Sequence, residues 1–149
     1  MTDPICASPP DGPQPDPDRG DPAEEARISA MVARFYELCL ADDLLGPMFR
    51  AAIPDLAPHM VIVEDFWSHA LLGTHRYQRG TPYSHHTRLS VVEQHFDRWM
   101  AAFATATHEC LSPDMAELAM KRAAHMTKSF KMGMLPLPEV KVSAGEARP

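Results

Sequence analysis

Three strings in this chain set a polar aromatic or an imidazole into an otherwise apolar run: FYELCLADDLLGPMF from Phe35, PHMVIVEDFWSHALLG from Pro58 and YSHHTRLSVVEQHFDRW from Tyr83. A phenol or an indole can donate a hydrogen bond inside a dry pocket, and a neutral imidazole ligates metals. Placed on apolar helical faces, such groups line a pocket for a flat, greasy cofactor that carries a reactive metal.

Helices must position them. Ile28, Met31, Val32, Phe35, Tyr36 and Cys39 recur at offsets 0, 3, 4, 7, 8 and 11, one amphipathic stripe, so Tyr36 faces inward. This helix should stop near Ala41, before Asp42 and Asp43, with Gly46-Pro47 punctuating a short turn to Phe49. The next opens after Asp55 as N-cap, tolerates Pro58 in its first turn and ends at Gly73. Its stripe runs His59, Ile62, Val63, Phe66, Trp67 and Ala70, with Glu64, Asp65 and Ser68 elsewhere on the wheel. Thr81-Pro82 signals a helix barely longer than one turn that carries His85 and His86. Ser90-Val91-Val92-Glu93 reads as a capping box, opening a helix that buries Phe96, Trp99, Met100, Phe103 and Ala104. Ser112-Pro113-Asp114 starts the last helix, with Leu118, Ala119, Ala123, Met126 and Phe130 inward and Gly133 near its end. Strand alternation, hairpin turns and internal repeats are absent from the pattern. The fold class is all-α, about four substantial helices packed pairwise around a crevice.

Size and charge narrow the function classes. The 149 residues fit one domain, and a net charge of -6 offers no basic surface for nucleic acid. Residues 1–22 hold seven prolines and several aspartates and read as a disordered tail; 134–149 read as a flexible tail, leaving 23–133 as the folding domain. No secretory signal and no run of ~18 apolar residues is present, so the expected setting is cytoplasmic, away from membrane. Cys6, Cys39 and Cys110 form no C-x-x-C pair and are expected reduced, the last two as small buried hydrophobes.

FYELCLADDLLGPMF, DFWSHALLGTHRY, GTPYSHH and HFDRW, in this order and spacing, resemble the truncated haemoglobins of bacteria, most of all group III. The resemblance spans about residues 26–133. It implies a globin-like fold, a truncated 2-over-2 helical sandwich around a haem crevice, with haem b (iron protoporphyrin IX) as cofactor. Lacking C-x-x-C-H, the chain would hold it non-covalently. The family's proximal iron ligand lies on a very short helix after a Gly-x-Pro loop, which matches His86. Its neighbour His85 points roughly 100° away around the helix, toward solvent or a haem propionate. The distal tyrosine matches Tyr36, the tryptophan of the following long helix matches Trp99, and the distal histidine matches His59. For His59 two roles stay open, gating the pocket or binding iron itself. Phe49, Val63, Phe66 and Trp67 would wall the porphyrin, with Phe35 and Phe103 behind them, Phe35 still counted among the cofactor-binding residues; Arg76, Arg79 and Arg88 are candidates for the propionates. Each role has a plainer alternative: a core tyrosine, a packed tryptophan, a half-exposed helix-end histidine. His95 sits in HFDRW with no implied ligand role, and a zinc site built from His85, His86 and His95 lacks a Cys or carboxylate partner.

The resemblance implies reversible binding of dioxygen or another diatomic gas at iron. Two hydrogen-bond donors slow ligand escape, which suits an enzyme that oxidises nitric oxide to nitrate with bound dioxygen. A separate reductase would then re-reduce the iron, because no flavin or nicotinamide motif lies in these residues. The competing classes are a non-catalytic gas or redox sensor or ligand store, and a haem-less helical domain whose crevice takes another apolar ligand.

Overall fold

The structure, a computed structural model, describes residues 19–82, 86 and 89–135. Tyr83, His85, Arg88 and most of the two expected tails, 1–18 and 136–149, lie outside the described residues. Among the described residues the elements are helices.

Helix α1 (Pro22–Ala41) opens on Asp21, whose carboxylate accepts from the Glu24 amide at 3.1 Å. Pro22 costs nothing there, since a first-turn N–H has no helical partner to lose. The residues it buries are Ile28, Met31, Val32, Phe35, Tyr36 and Cys39, the stripe that the periodicity predicts. At Asp42 the chain leaves α1, and the Asp42 carboxylate accepts from the amides of Leu44 (2.8 Å) and Leu45 (2.9 Å). That bond set turns the chain straight into α2 (Leu45–Ala52), a helix where the sequence predicts only a turn. Gly46 makes the sharp entry possible: a Cβ there would lie 2.6 Å from the Leu40 carbonyl oxygen.

Helix α3 (Leu56–Leu72) ends on Gly73 at φ 72°, the left-handed conformation that glycine adopts without strain. Its stripe departs from expectation at two positions. Ala70 is exposed and Ser68 is fully buried. Ser68 can go inside because it has partners: its hydroxyl donates to Glu25 and lies 2.7 Å from Thr74 Oγ1. Arg76 closes the cluster on Glu25 (2.8 Å) and Asp65 (2.9 Å), fastening α1 to α3.

Helix α4 (Glu93–Cys110) starts later than a Ser90 cap requires. Its N-cap is Val92, whose amide donates to His95 Nδ1 at 3.0 Å while the His95 amide donates to the Val92 carbonyl at 3.0 Å. A histidine thus takes the place of the Glu or Gln that a capping box uses. Phe96 and Phe103 are buried as predicted, joined by Ala106 and Thr107. Helix α5 (Pro113–Met134) buries Ala116, Ala119, Ala123 and Thr127. Leu118, expected inside, is 52% exposed, because at about 100° per residue it stands well off the arc that these four define.

Helix α1 packs on α3 and α4, and α5 packs on α4 and α3, so the four long helices close a ring of two layers of two. Helix α2 bridges α1 and α4. The all-α class follows the sequence pattern, and the two-over-two packing is the one that the resemblance implies. No helix among the described residues is long and apolar enough to cross a membrane.

Candidate functional site

Where the helices part, they leave a cavity of about 410 Å³, a size suited to a cofactor. All nine residues singled out from the sequence line it. Phe35 and Tyr36 come from α1, Phe49 from α2, and His59, Val63, Phe66 and Trp67 from α3; Trp99 of α4 and His86 complete the set.

The walls are aromatic and interlocked. Phe35 meets Tyr36 (5.3 Å), Trp99 (5.2 Å) and Phe103 (5.6 Å) edge-on. Phe103, fully buried, stacks on Trp99 at 5.3 Å and on Trp67 at 4.8 Å, so it stands behind the wall as expected. Offset and edge-to-face pairs of this kind add stabilisation beyond their buried area.

Two neutral polar groups face each other in this apolar surround. Tyr36 Oη lies 2.8 Å from His59 Nε2, with the two rings perpendicular. Burial, helped by Cys39, raises the Tyr36 pKa far above its usual range, so the phenol keeps its proton. Burial first, and then His86 and Arg79, lower the His59 pKa, which favours the neutral imidazole. The bond can therefore run in two directions. If the phenol donates to a bare Nε2, its proton is occupied; if Nε2–H donates to the phenol oxygen, the proton is free for a third group. The indole N–H of Trp99 has no partner among the described residues and is a second donor.

His86 sits differently. Its Nδ1 lies 2.5 Å from the Pro82 carbonyl oxygen, and both residues have helical backbone. A carbonyl only accepts, so Nδ1 carries the proton and Nε2 keeps a bare lone pair. Gly80, at φ 78°, supplies the left-handed residue that turns the chain into this segment. The His86 ring packs 5.2 Å from Phe130 of α5. Metal-ligating histidines characteristically back onto a carbonyl or carboxylate in this way. One bare imidazole nitrogen, two donors and aromatic walls fit a metal carried in an organic ring, which needs a single protein ligand from one side.

Two of the expected propionate candidates resolve differently. Arg79 lines the cavity, whereas Arg76 is held by Glu25 and Asp65 and serves the α1–α3 joint instead. Arg88 and His85 lie outside the described residues. Sequence reasoning missed several lining residues. Tyr77 meets Phe66 edge-on at 5.2 Å, and its one signal was its place at the end of DFWSHALLGTHRY. Met48 had the same kind of signal inside FYELCLADDLLGPMF, whereas Ile53, the C-cap of α2, lies outside the quoted strings and carried none. His95 lines the cavity too.

The bacterial-like globin family matches the chain over residues 23–135. The crystal structure of a group III truncated hemoglobin from Campylobacter jejuni is similar to it, with a TM-score of 0.67 and 26% sequence identity, covering 74% of this chain and 90% of that one. No curated protein matches the chain. The chain belongs to the bacterial-like globins and within them is a truncated haemoglobin of the group III kind. Membership implies haem binding and diatomic gases as ligands.

Proposed function

We propose that this globin holds haem b non-covalently through His86 Nε2 and binds dioxygen or another diatomic gas beside Tyr36, His59 and Trp99. The observation that carries the reading is the His86–Pro82 bond, which leaves one bare nitrogen on a histidine that lines an aromatic cavity. Haem supplies there an iron that takes a small diatomic ligand. The remaining chemistry belongs to the chain. His86 is held in a single tautomer and made more basic by the hydrogen bond that its Nδ1–H donates to a carbonyl. Tyr36 and Trp99 each offer an N–H or O–H to a ligand that draws negative charge, a bond worth roughly 1.5 to 3 kcal/mol. His59, neutral, sets whether the Tyr36 proton is free. Phe35, Phe49, Val63, Phe66 and Trp67 keep water out, which strengthens those bonds.

Two donors favour retention over rapid release, which supports an enzymatic role: nitric oxide, dioxygen and one electron give nitrate. The electron comes from a separate reductase, and the reducing cytoplasm suits both that partner and unpaired thiols such as Cys39. The test reconstitutes the protein with haem and supplies dioxygen, nitric oxide and a flavin reductase. Consumption of nitric oxide through many equivalents is expected; consumption that ends after one equivalent assigns the protein to sensing or storage.

A further inference from the structure

Three histidines line the cavity, and their hydrogen bonds give them different protons. His59 is engaged with Tyr36. His86 donates from Nδ1 and keeps Nε2 bare. His95 is the reverse case: its Nδ1 accepts from the Val92 amide, so in the neutral ring the proton is on Nε2. That Nε2–H has no partner among the described residues, and His95 is one of the residues that line the cavity. Among the described residues the lining contains no carboxylate, and its basic members are Arg79 and these three histidines. The cavity therefore presents N–H donors and no competing acid, which suits an occupant with an acidic edge.

We propose that His95 anchors a carboxylate of the bound cofactor through Nε2–H, while its Nδ1 holds the first turn of α4. This rests on the haem reading above, haem's acidic edge being its two propionates. One imidazole then couples retention of the cofactor to the start of the helix that carries Trp99. His95 is thereby unsuited to ligate iron through Nε2, since a bare Nε2 would require a proton on Nδ1 and the loss of the cap.

The test compares wild type with His95→Glu, because a glutamate at the third helical position can still accept from the Val92 amide but presents a carboxylate in place of a donor. Both proteins are loaded with haem or with haem dimethyl ester, whose propionates carry no charge, and cofactor loss to an excess of an apo-globin acceptor is timed. Haem should leave His95→Glu about tenfold faster or more, while the ester leaves both proteins at similar rates. Equal haem loss from the two proteins overturns the proposal, as does equal acceleration of both cofactors, which assigns His95 to helix capping alone. If wild type takes up neither cofactor, the haem reading fails and this proposal fails with it. Independently of any cofactor, nitrogen-15 NMR of the haem-free protein should show the His95 proton on Nε2; a proton on Nδ1 in the neutral ring overturns the assignment.

Discussion

The Pro82 carbonyl accepts a hydrogen bond from Nδ1 of His86, and the Val92 amide donates one to Nδ1 of His95, so two histidines of one cavity end with opposite chemistry. The residue types were legible in the sequence; their tautomers were not, because each is set by a backbone atom three or four positions away. Tyr36 is a similar case. Its inward direction follows from the stripe, but its bond to His59, 23 residues distant, appears only when α1 and α3 meet. Removing the hydroxyl should both lose a donor to the bound gas and release His59. We expect Tyr36→Phe to dissociate dioxygen about tenfold to a hundredfold faster than wild type in stopped-flow measurements. An unchanged rate would assign the donor role to Trp99 alone.

At the scale of elements, α1 was read almost completely, because six buried residues on a 3.6-residue period leave one solution. Helix α2 was not, since Gly46-Pro47 carries the same signal in a turn and in a helix entered at close quarters. Gly46→Ala should cost about 1 to 3 kcal/mol in thermal or denaturant unfolding, because its methyl group meets the immovable Leu40 carbonyl rather than a flexible side chain. The α1–α3 joint was hidden for another reason: a serine on a helix reads as surface until Glu25, Thr74 and Arg76 converge on it. Burial tends to raise the Glu25 pKa, but the bonds from Arg76 and Ser68 outweigh it and hold the value below the ordinary 4.5. With the folded value depressed, this contribution is present in full above pH 4.5 and is lost as pH falls through the folded value. Glu25→Gln should lower stability at pH 7 by about 1 to 2 kcal/mol. Its unfolding free energy should then fall less steeply than that of wild type below pH 4.5.

For the molecule as a whole, four helices in a closed ring leave a cavity because bulky aromatics on α1, α3 and α4 hold apart one region, while alanines on α5 let the helices close elsewhere. The all-α class and the four long helices were legible from period and length; which helices pair and the cavity's full lining were not, since Tyr77, Met126 and Phe130 reach it only through the final packing. A cofactor that fills this space binds the folded chain alone and stabilises it by mass action. At a hundredfold excess over its dissociation constant, haem should add about 2.7 kcal/mol to the unfolding free energy, visible as a concentration-dependent rise in Tm. Most direct is the absorption spectrum of the ferrous haem-loaded protein in wild type and in His86→Gly, with and without added imidazole. A histidine-ligated spectrum is expected in wild type, with its loss in the variant and its return when imidazole enters the vacated space. A spectrum that His86→Gly leaves unchanged would contradict iron ligation by His86.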